Sequence, residues 1–180
     1  MSFKEILIHV FNFLYYILLM QLILGILNLL PNISYSNRIR GFLVKPFFKK
    51  CGKNFQLAKG AIINMPRNIQ IGDNVYLAHN IWLNGAGGLT IGNDVVISPN
   101  VVISTSKHDY INGKVSLNSS TLSPVQIGDG SWIASNTTVS QGTSIGKGSI
   151  IGASSAVTKD IEDYVFAAGT PAKKIRQLQN

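Results

Sequence analysis

Aliphatic residues recur every six positions through most of this chain. The first blocks read Ile71-Gly72-Asp73-Asn74-Val75-Tyr76 and Leu77-Ala78-His79-Asn80-Ile81-Trp82. A short irregular stretch follows, then Ile91-Gly92-Asn93-Asp94-Val95-Val96 and Ile97-Ser98-Pro99-Asn100-Val101-Val102. After a longer break, Ile127, Ile133, Val139, Ile145, Ile151 and Val157 return in step, each followed by a small residue: Gly128, Ala134, Ser140, Gly146, Gly152 and Thr158. A period of six fits neither a helix nor a simple alternating strand. It suits a short strand that points one aliphatic residue inward and then turns. Gly, Asn and Asp fill the turn positions because they tolerate the backbone conformations a tight bend demands. Three such faces close a triangular coil of about eighteen residues, and no coil buries its apolar edge until others stack on it. An ordinary β-sandwich with glycine turns is the competing fold, and six in-phase aliphatics argue against it.

A different pattern occupies the N-terminus. Ile6 to Leu30 carries no formal charge with His9 neutral, ends at Pro31, and is long enough to cross a bilayer as one helix. It is too long for a signal-peptide core. Asn12, Gln21 and Asn28 interrupt it, so a helix lying in the plane of one leaflet and a buried oligomerisation helix are alternatives to a span. Arg38, Arg40, Lys45, Lys49, Lys50 and Lys53 follow, beside Phe42, Phe47 and Phe48. Positive charge next to an apolar segment marks the cytoplasmic side, which puts the coils at the inner leaflet, facing the cytoplasm.

The stretch Val125 to Arg176 is the most specific, with Trp132-Ile133-Ala134, Gly152-Ala153, Val157-Thr158-Lys159-Asp160-Ile161 and Ala168-Gly169-Thr170-Pro171-Ala172-Lys173. Over about residues 55–176 the chain resembles the hexapeptide-repeat acyltransferases, and among them the sugar O-acetyltransferases. The resemblance implies an all-β core, a left-handed parallel β-helix, with the N-terminal apolar helix and a short C-terminal capping helix at its ends. The expected organisation is a membrane-associated helix over 1–31, a basic, aromatic segment over 32–54, the β-helix over 55–169 with an active-site loop at 104–124, and a cap over 170–180.

The chemistry falls to the break in the repeat, since excursions from a rigid scaffold commonly carry function. Ser104-Thr105-Ser106-Lys107-His108-Asp109-Tyr110 opens it. A histidine there suits a general base, because imidazole titrates near working pH. The family's base lies in the corresponding loop, so the resemblance implies that His108 takes the proton of an acceptor hydroxyl and that acetyl-CoA is attacked directly, with Asp109 orienting or charge-stabilising the imidazole. It gives Asn84 a contact to the acceptor or the oxyanion, and makes Trp132 a wall of the cleft between subunits. Ala134, Ser135, Ala153 and Thr158 would edge the groove for the pantetheine arm, with Ala134 standing where glycine is usual. Lys159, Lys173 and Arg176 would meet the nucleotide phosphates. A homotrimer follows from the resemblance alone. His79 reads as a solvated coil-face residue, and His9 lies in the apolar run.

Charge sharpens the partner question. Net charge is +8, but residues 1–60 hold eight Lys/Arg against Glu5 alone, while residues 61–180 hold eight Lys/Arg and seven acids. A nearly neutral coil region argues for a membrane surface and against nucleic acid. Cys51 has no partner for an internal disulfide, and three histidines, one in the apolar run, do not make the three-imidazole zinc site of a carbonic anhydrase, so no metal is expected. The expected activity is acetyl-CoA-dependent O-acetylation of a sugar in a surface polysaccharide (capsule, exopolysaccharide or lipopolysaccharide) or its lipid-linked precursor. N-acetylation of an amino sugar and a non-catalytic membrane-tethered scaffold are the alternatives.

Overall fold

The computed structural model describes residues 2–179. Short parallel strands stack into a three-faced prism of about six turns, the left-handed parallel β-helix expected from the repeat. The first face holds Lys50–Cys51, Ile69–Ile71, Leu89–Ile91, Val125–Ile127 and Ser144–Ile145 in that spatial order. The second holds Gln56–Leu57, Tyr76–Leu77, Val96–Ile97, Trp132–Ile133, Ile150–Ile151 and Val165–Ala168. The third holds Ile62–Asn64, Trp82–Asn84, Val102–Ser104, Thr138–Val139 and Ala156–Val157. The stack therefore opens at Lys50, inside the segment that the sequence reading placed ahead of it.

Each strand contributes one inward side chain, and these align from coil to coil. On the second face Leu57, Leu77, Ile97, Ile133, Ile151 and Ala167 form a column from which solvent is wholly excluded. Corners turn through left-handed residues. Asn54, Asn74 and Asp94 stack at one corner with φ of 54°, 58° and 55°. Their side chains bond across coils, Asn54 Nδ2 to Asn74 Oδ1 at 2.9 Å and Asn74 Nδ2 to Asp94 Oδ1 at 2.8 Å. Asparagine suits such a corner because it tolerates this conformation and its amide both donates and accepts. Beside that corner Gly72 leaves no room for a side chain: a Cβ there would lie 2.6 Å from the backbone of Gly92 in the next coil.

The two ends of the stack are closed differently. A continuous helix, Phe3–Leu27, opens with a capping box between Ser2 and Glu5 and contains a π-helical stretch, Phe13–Leu19. Its second half packs Met20 and Leu24 into the same core as Val44, Phe47 and Phe48, and the Tyr15 and Phe47 rings lie 4.8 Å apart. Ser34–Val44 forms a second helix against the first coil. From it the fully buried Arg40 donates to the carbonyls of Leu27 (3.2 Å), Leu30 (2.7 Å) and Pro31 (3.3 Å) and to Asn37 Oδ1 (2.9 Å). One guanidinium thus ties the turn that ends the long helix, Leu27 to Pro31, to the second helix. Burial lowers its pKa from the ordinary value. At the other end the expected capping helix is absent. Lys173–Gln177 is a strand, antiparallel to Val165–Ala168. The final coil presents an open row of backbone donors and acceptors, which a strand can pair and a helix cannot.

Arg40→Ala removes the three hydrogen bonds that hold the end of the long helix on the second helix, together with that to Asn37, and empties a buried position. The expected cost is about 3 kcal/mol, read as a lower urea midpoint, with proteolysis appearing first between residues 28 and 45.

Candidate active site

Consecutive early coils are 20 residues apart, as Asn54–Asn74 and Asp73–Asn93 show. The next step is 36, from Asn93 to Asp129 and from Asn100 to Asn136, yet the strands on either side still pair in register. The excess chain leaves the prism at the corner after the third face. It is an ordered two-stranded hairpin, Ser106–Ile111 against Lys114–Leu122, where the sequence suggested an irregular loop. Strand alternation puts Ser106 and His108 on one side and Lys107 and Asp109 on the other. The register breaks between His108 and Tyr110: His108 faces Ser120 while Tyr110 faces Val115, so residues 116–119 bow out opposite Asp109. Such bulges re-aim side chains.

That bow fixes the imidazole. His108 Nδ1 lies 3.0 Å from the carbonyl oxygen of Ser116. A carbonyl only accepts, so Nδ1 carries the proton and the neutral ring presents a bare lone pair at Nε2. The ring is exposed. Asp109 does not orient it, because neighbouring side chains on a strand diverge. Its carboxylate instead accepts from the Ser119 hydroxyl and from Thr121 Oγ1 (2.6 Å), clamping the hairpin across the bulge. The Ser119 bond, followed by that from Thr121, holds the Asp109 carboxyl below the usual carboxylate range. Ser116 went unnoticed in the sequence because its backbone, not its side chain, does the work.

The hairpin root is tied to the prism by a polar cluster. Asn84 Nδ2 donates to Ser106 Oγ at 2.8 Å and Asn84 Oδ1 accepts from the Ala86 amide at 3.0 Å. Buried Thr105 donates to the Asn84 carbonyl at 2.7 Å and accepts from the Gly87 amide at 2.8 Å. Asn84 therefore sits under the strand that carries His108, two residues from it through Ser106.

The remaining candidates fall on two different corners. Asn84, Ser104, Ser140 and Thr158 stack at the end of the third face, with Lys159 beyond Thr158 at the same corner as the hairpin. Ala134, Ser135 and Ala153 lie at the corner between the second and third faces. There Ala58, Ala78, Ser98, Ala134, Gly152 and Ala168 form a column of small residues joined by backbone hydrogen bonds between coils. Trp132 flanks it on the second face, 45 % exposed, its Nε1 donating to Ser98 Oγ at 2.8 Å. Lys173 and Arg176 ride on the closing strand of that face, and the Arg176 guanidinium lies 5.8 Å over the Phe166 ring. Lys159, Lys173 and Arg176 make no ion pair among the described residues, whereas Lys174 pairs with Glu162 at 2.7 Å. Within one chain the candidate residues thus form two groups separated by the width of a face. Cys51 belongs to the first coil, and burial is the main reason its thiol is pushed up to about 11. It is no nucleophile at neutral pH.

Residues 124–159 match the family pattern Bacterial transferase hexapeptide (six repeats). Galactoside O-acetyltransferase of Escherichia coli (strain K12) is 36% identical over 142 residues, 78% of this chain and 70% of the relative. The putative colanic acid biosynthesis acetyltransferase WcaF of the same strain is 33% identical over 147 residues, 82% and 78% of the two chains. This chain belongs to the hexapeptide-repeat acetyltransferases. A solved galactoside acetyltransferase in complex with coenzyme A superposes with a TM-score of 0.81 at 31% identity, covering 93% of this chain and 83% of that one. A maltose O-acetyltransferase from Clostridium difficile 630 gives 0.78 at 27% identity, covering 89% and 85%. In this hexapeptide-repeat acetyltransferase the prism is closed below by the Arg40-locked helix pair and above by the antiparallel strand.

The Asp109 clamp gives a pH signature. Since the folded pKa is depressed, its contribution is complete above the ordinary aspartate value near ~3.9 and is lost as pH falls through the lower folded value. Asp109→Ala should expose the amides of 106–122 to faster exchange at neutral pH with the coil melting unchanged. Wild type should show the same change only in acid, after correction for intrinsic exchange rates.

Proposed function

We propose that this acetyltransferase uses acetyl-CoA to O-acetylate a sugar hydroxyl in a surface polysaccharide or its lipid-linked precursor, by direct transfer with His108 as general base. The observation that carries this reading is the Nδ1–H bond from His108 to the Ser116 carbonyl, which leaves Nε2 free to accept a proton. Acetyl-CoA supplies the acetyl group, already activated as a thioester. Nε2 accepts the proton of the acceptor hydroxyl as its oxygen bonds to the acyl carbon, and returns a proton to the departing thiolate. No Ser or Cys nucleophile intervenes. Asn84 holds the hairpin root and sits where an acceptor or oxyanion contact is available.

The residues present fit the co-substrate. Within that corner the column Ala58, Ala78, Ser98, Ala134, Gly152 and Ala168 has no side chain larger than that of Ser98, which suits a thin pantetheine arm, and Trp132 stands as its wall. Lys159, Lys173 and Arg176 are exposed cations of the kind that pair with phosphates. The two half-sites become one site when the groove corner of one copy meets the hairpin corner of the next, and a closed ring of three such heterologous contacts is a homotrimer. Ile62, Trp82 and Val102 on the third face and Val96 and Trp132 on the second give those walls apolar outer side chains, while the first face presents Gln70, Thr90, Gln126 and Ser144. The length and apolar character of the N-terminal helix support a location at the inner leaflet, with the coils on the cytoplasmic side, next to an acceptor carried on lipid.

His108→Asn should lower turnover by about 10²–10⁴-fold while calorimetric acetyl-CoA binding and the trimer mass persist. Near wild-type turnover in that variant would overturn the mechanism. Lys159→Ala/Arg176→Ala should weaken acetyl-CoA binding by about tenfold or more. The product should be an alkali-labile ester; an alkali-stable amide would make the acceptor an amine.

A further inference from the structure

The long helix is not free along its length. From Tyr15 onward one side of it is occupied by the protein: Met20, Leu24 and Leu27 are buried, and Tyr15, Tyr16 and Ile23 pack against the core. Only Phe3–Leu14 stands clear all round, which at 1.5 Å per residue is about 18 Å of helix against roughly 30 Å of hydrocarbon. Spanning would take about 20 residues of the helix into hydrocarbon, as far as Leu22, and would draw in the part of the fold packed on Tyr15 and Met20, which includes Phe47 and, in the same turn, Lys45. End-on entry into one leaflet would leave Lys4 and Glu5 near the mid-plane, where charge is costly. Lying flat meets neither objection. Glu5, His9 and Asn12 recur at helical spacing and make a polar stripe, with His9 Nδ1 donating back to the Glu5 carbonyl at 2.8 Å. Leu7, Phe11, Leu14, Leu18 and Leu22 remain exposed on another side.

The root of the helix is matched to an anionic surface. An open groove of about 460 Å³ is lined by Phe42, Leu43, Phe48, Lys45, Lys49 and Lys50 among others, and Phe42 is 75% exposed beside these lysines. No acidic residue occurs between Glu5 and Asp73. Phe48 belongs both to this groove and to the core that receives Met20 and Leu24. Apolar side chains rimmed by Lys49 and Lys50, which make no ion pair among the described residues, form the pattern that rests on phospholipid headgroups.

We infer that the N-terminal helix lies along a single leaflet of an anionic bilayer rather than across it, with its root seated on lipid phosphates through Lys49 and Lys50. This rests on the membrane location proposed above and makes it specific. The test uses the full chain and vesicles of phosphatidylcholine with or without phosphatidylglycerol. Wild type should co-sediment with the anionic vesicles, and Lys49→Gln/Lys50→Gln, two exposed groove positions, should bind roughly thirtyfold more weakly. In a Cys51→Ser background, Lys4→Cys and Lys59→Cys should both react with a membrane-impermeant maleimide added outside. Protection of Lys4→Cys until detergent is added would mean that the helix crosses the bilayer or enters it end-on, and would overturn the inference while leaving the membrane location standing. Binding that ignores lipid charge and the lysine changes would overturn the headgroup contact. Failure to bind any vesicle would overturn the membrane location as well, without touching acetyl transfer.

Discussion

The backbone of each coil is satisfied almost entirely by the coils above and below it. Along one corner the chain of amides runs from Gly52 to the Ile71 carbonyl, Gly72 to Ile91, Gly92 to Ile127, Gly128 to Ile145 and Gly146 to Ile161, at 2.8 to 2.9 Å. This dependence explains the spacing of the sequence. A strand pairs in register with the next coil only if its inward side chain lies over the one below, so the aliphatic position repeats and the corner position stays small. It also explains the ends. A stack held by neighbour pairing has two incomplete edges, and this chain closes one with a helix pair locked by Arg40 and the other with a reversed strand.

The same dependence separates scaffold from chemistry. Coil pairing resumes across 36 residues as well as across 20, so the excursion bearing His108 makes no demand on the core. Its geometry comes from its own bonds: the bulge at Asp109, the Ser116 carbonyl on the imidazole, and the Asn84–Ser106 link to the prism. Rigidity beneath and local satisfaction above hold one histidine tautomer without burying the ring.

The prism was legible because the inward residue and the corner residue are each dictated by one position in six, as Ile97 with Ser98 and Ile133 with Ala134 illustrate. His108 was legible as the histidine in the break. Its partner was not, because a backbone carbonyl has no sequence signature. Asp109 read as the orienting group on adjacency, which strand alternation forbids. The C-terminal segment read as a helix because nothing in Lys173-Lys174-Ile175-Arg176 declares that an open strand edge waits beside it. The distribution of site residues over two corners was equally hidden, since stacking order appears only once the coils are wound.

The hairpin also bears on how such a protein changes over generations. Its strands leave and rejoin the prism at neighbouring points, Thr105 and Ser123, whose backbones are bonded at 3.1 Å. Lengthening a loop whose ends are already pinned adds only the closure entropy of the extra chain, about 0.6 kcal/mol per doubling. Residues inserted at the exposed Asn112–Gly113 turn would disturb no inward column. Under the proposed mechanism, acceptor preference is therefore free to drift through this one excursion while the coils that pair beneath it stay constant.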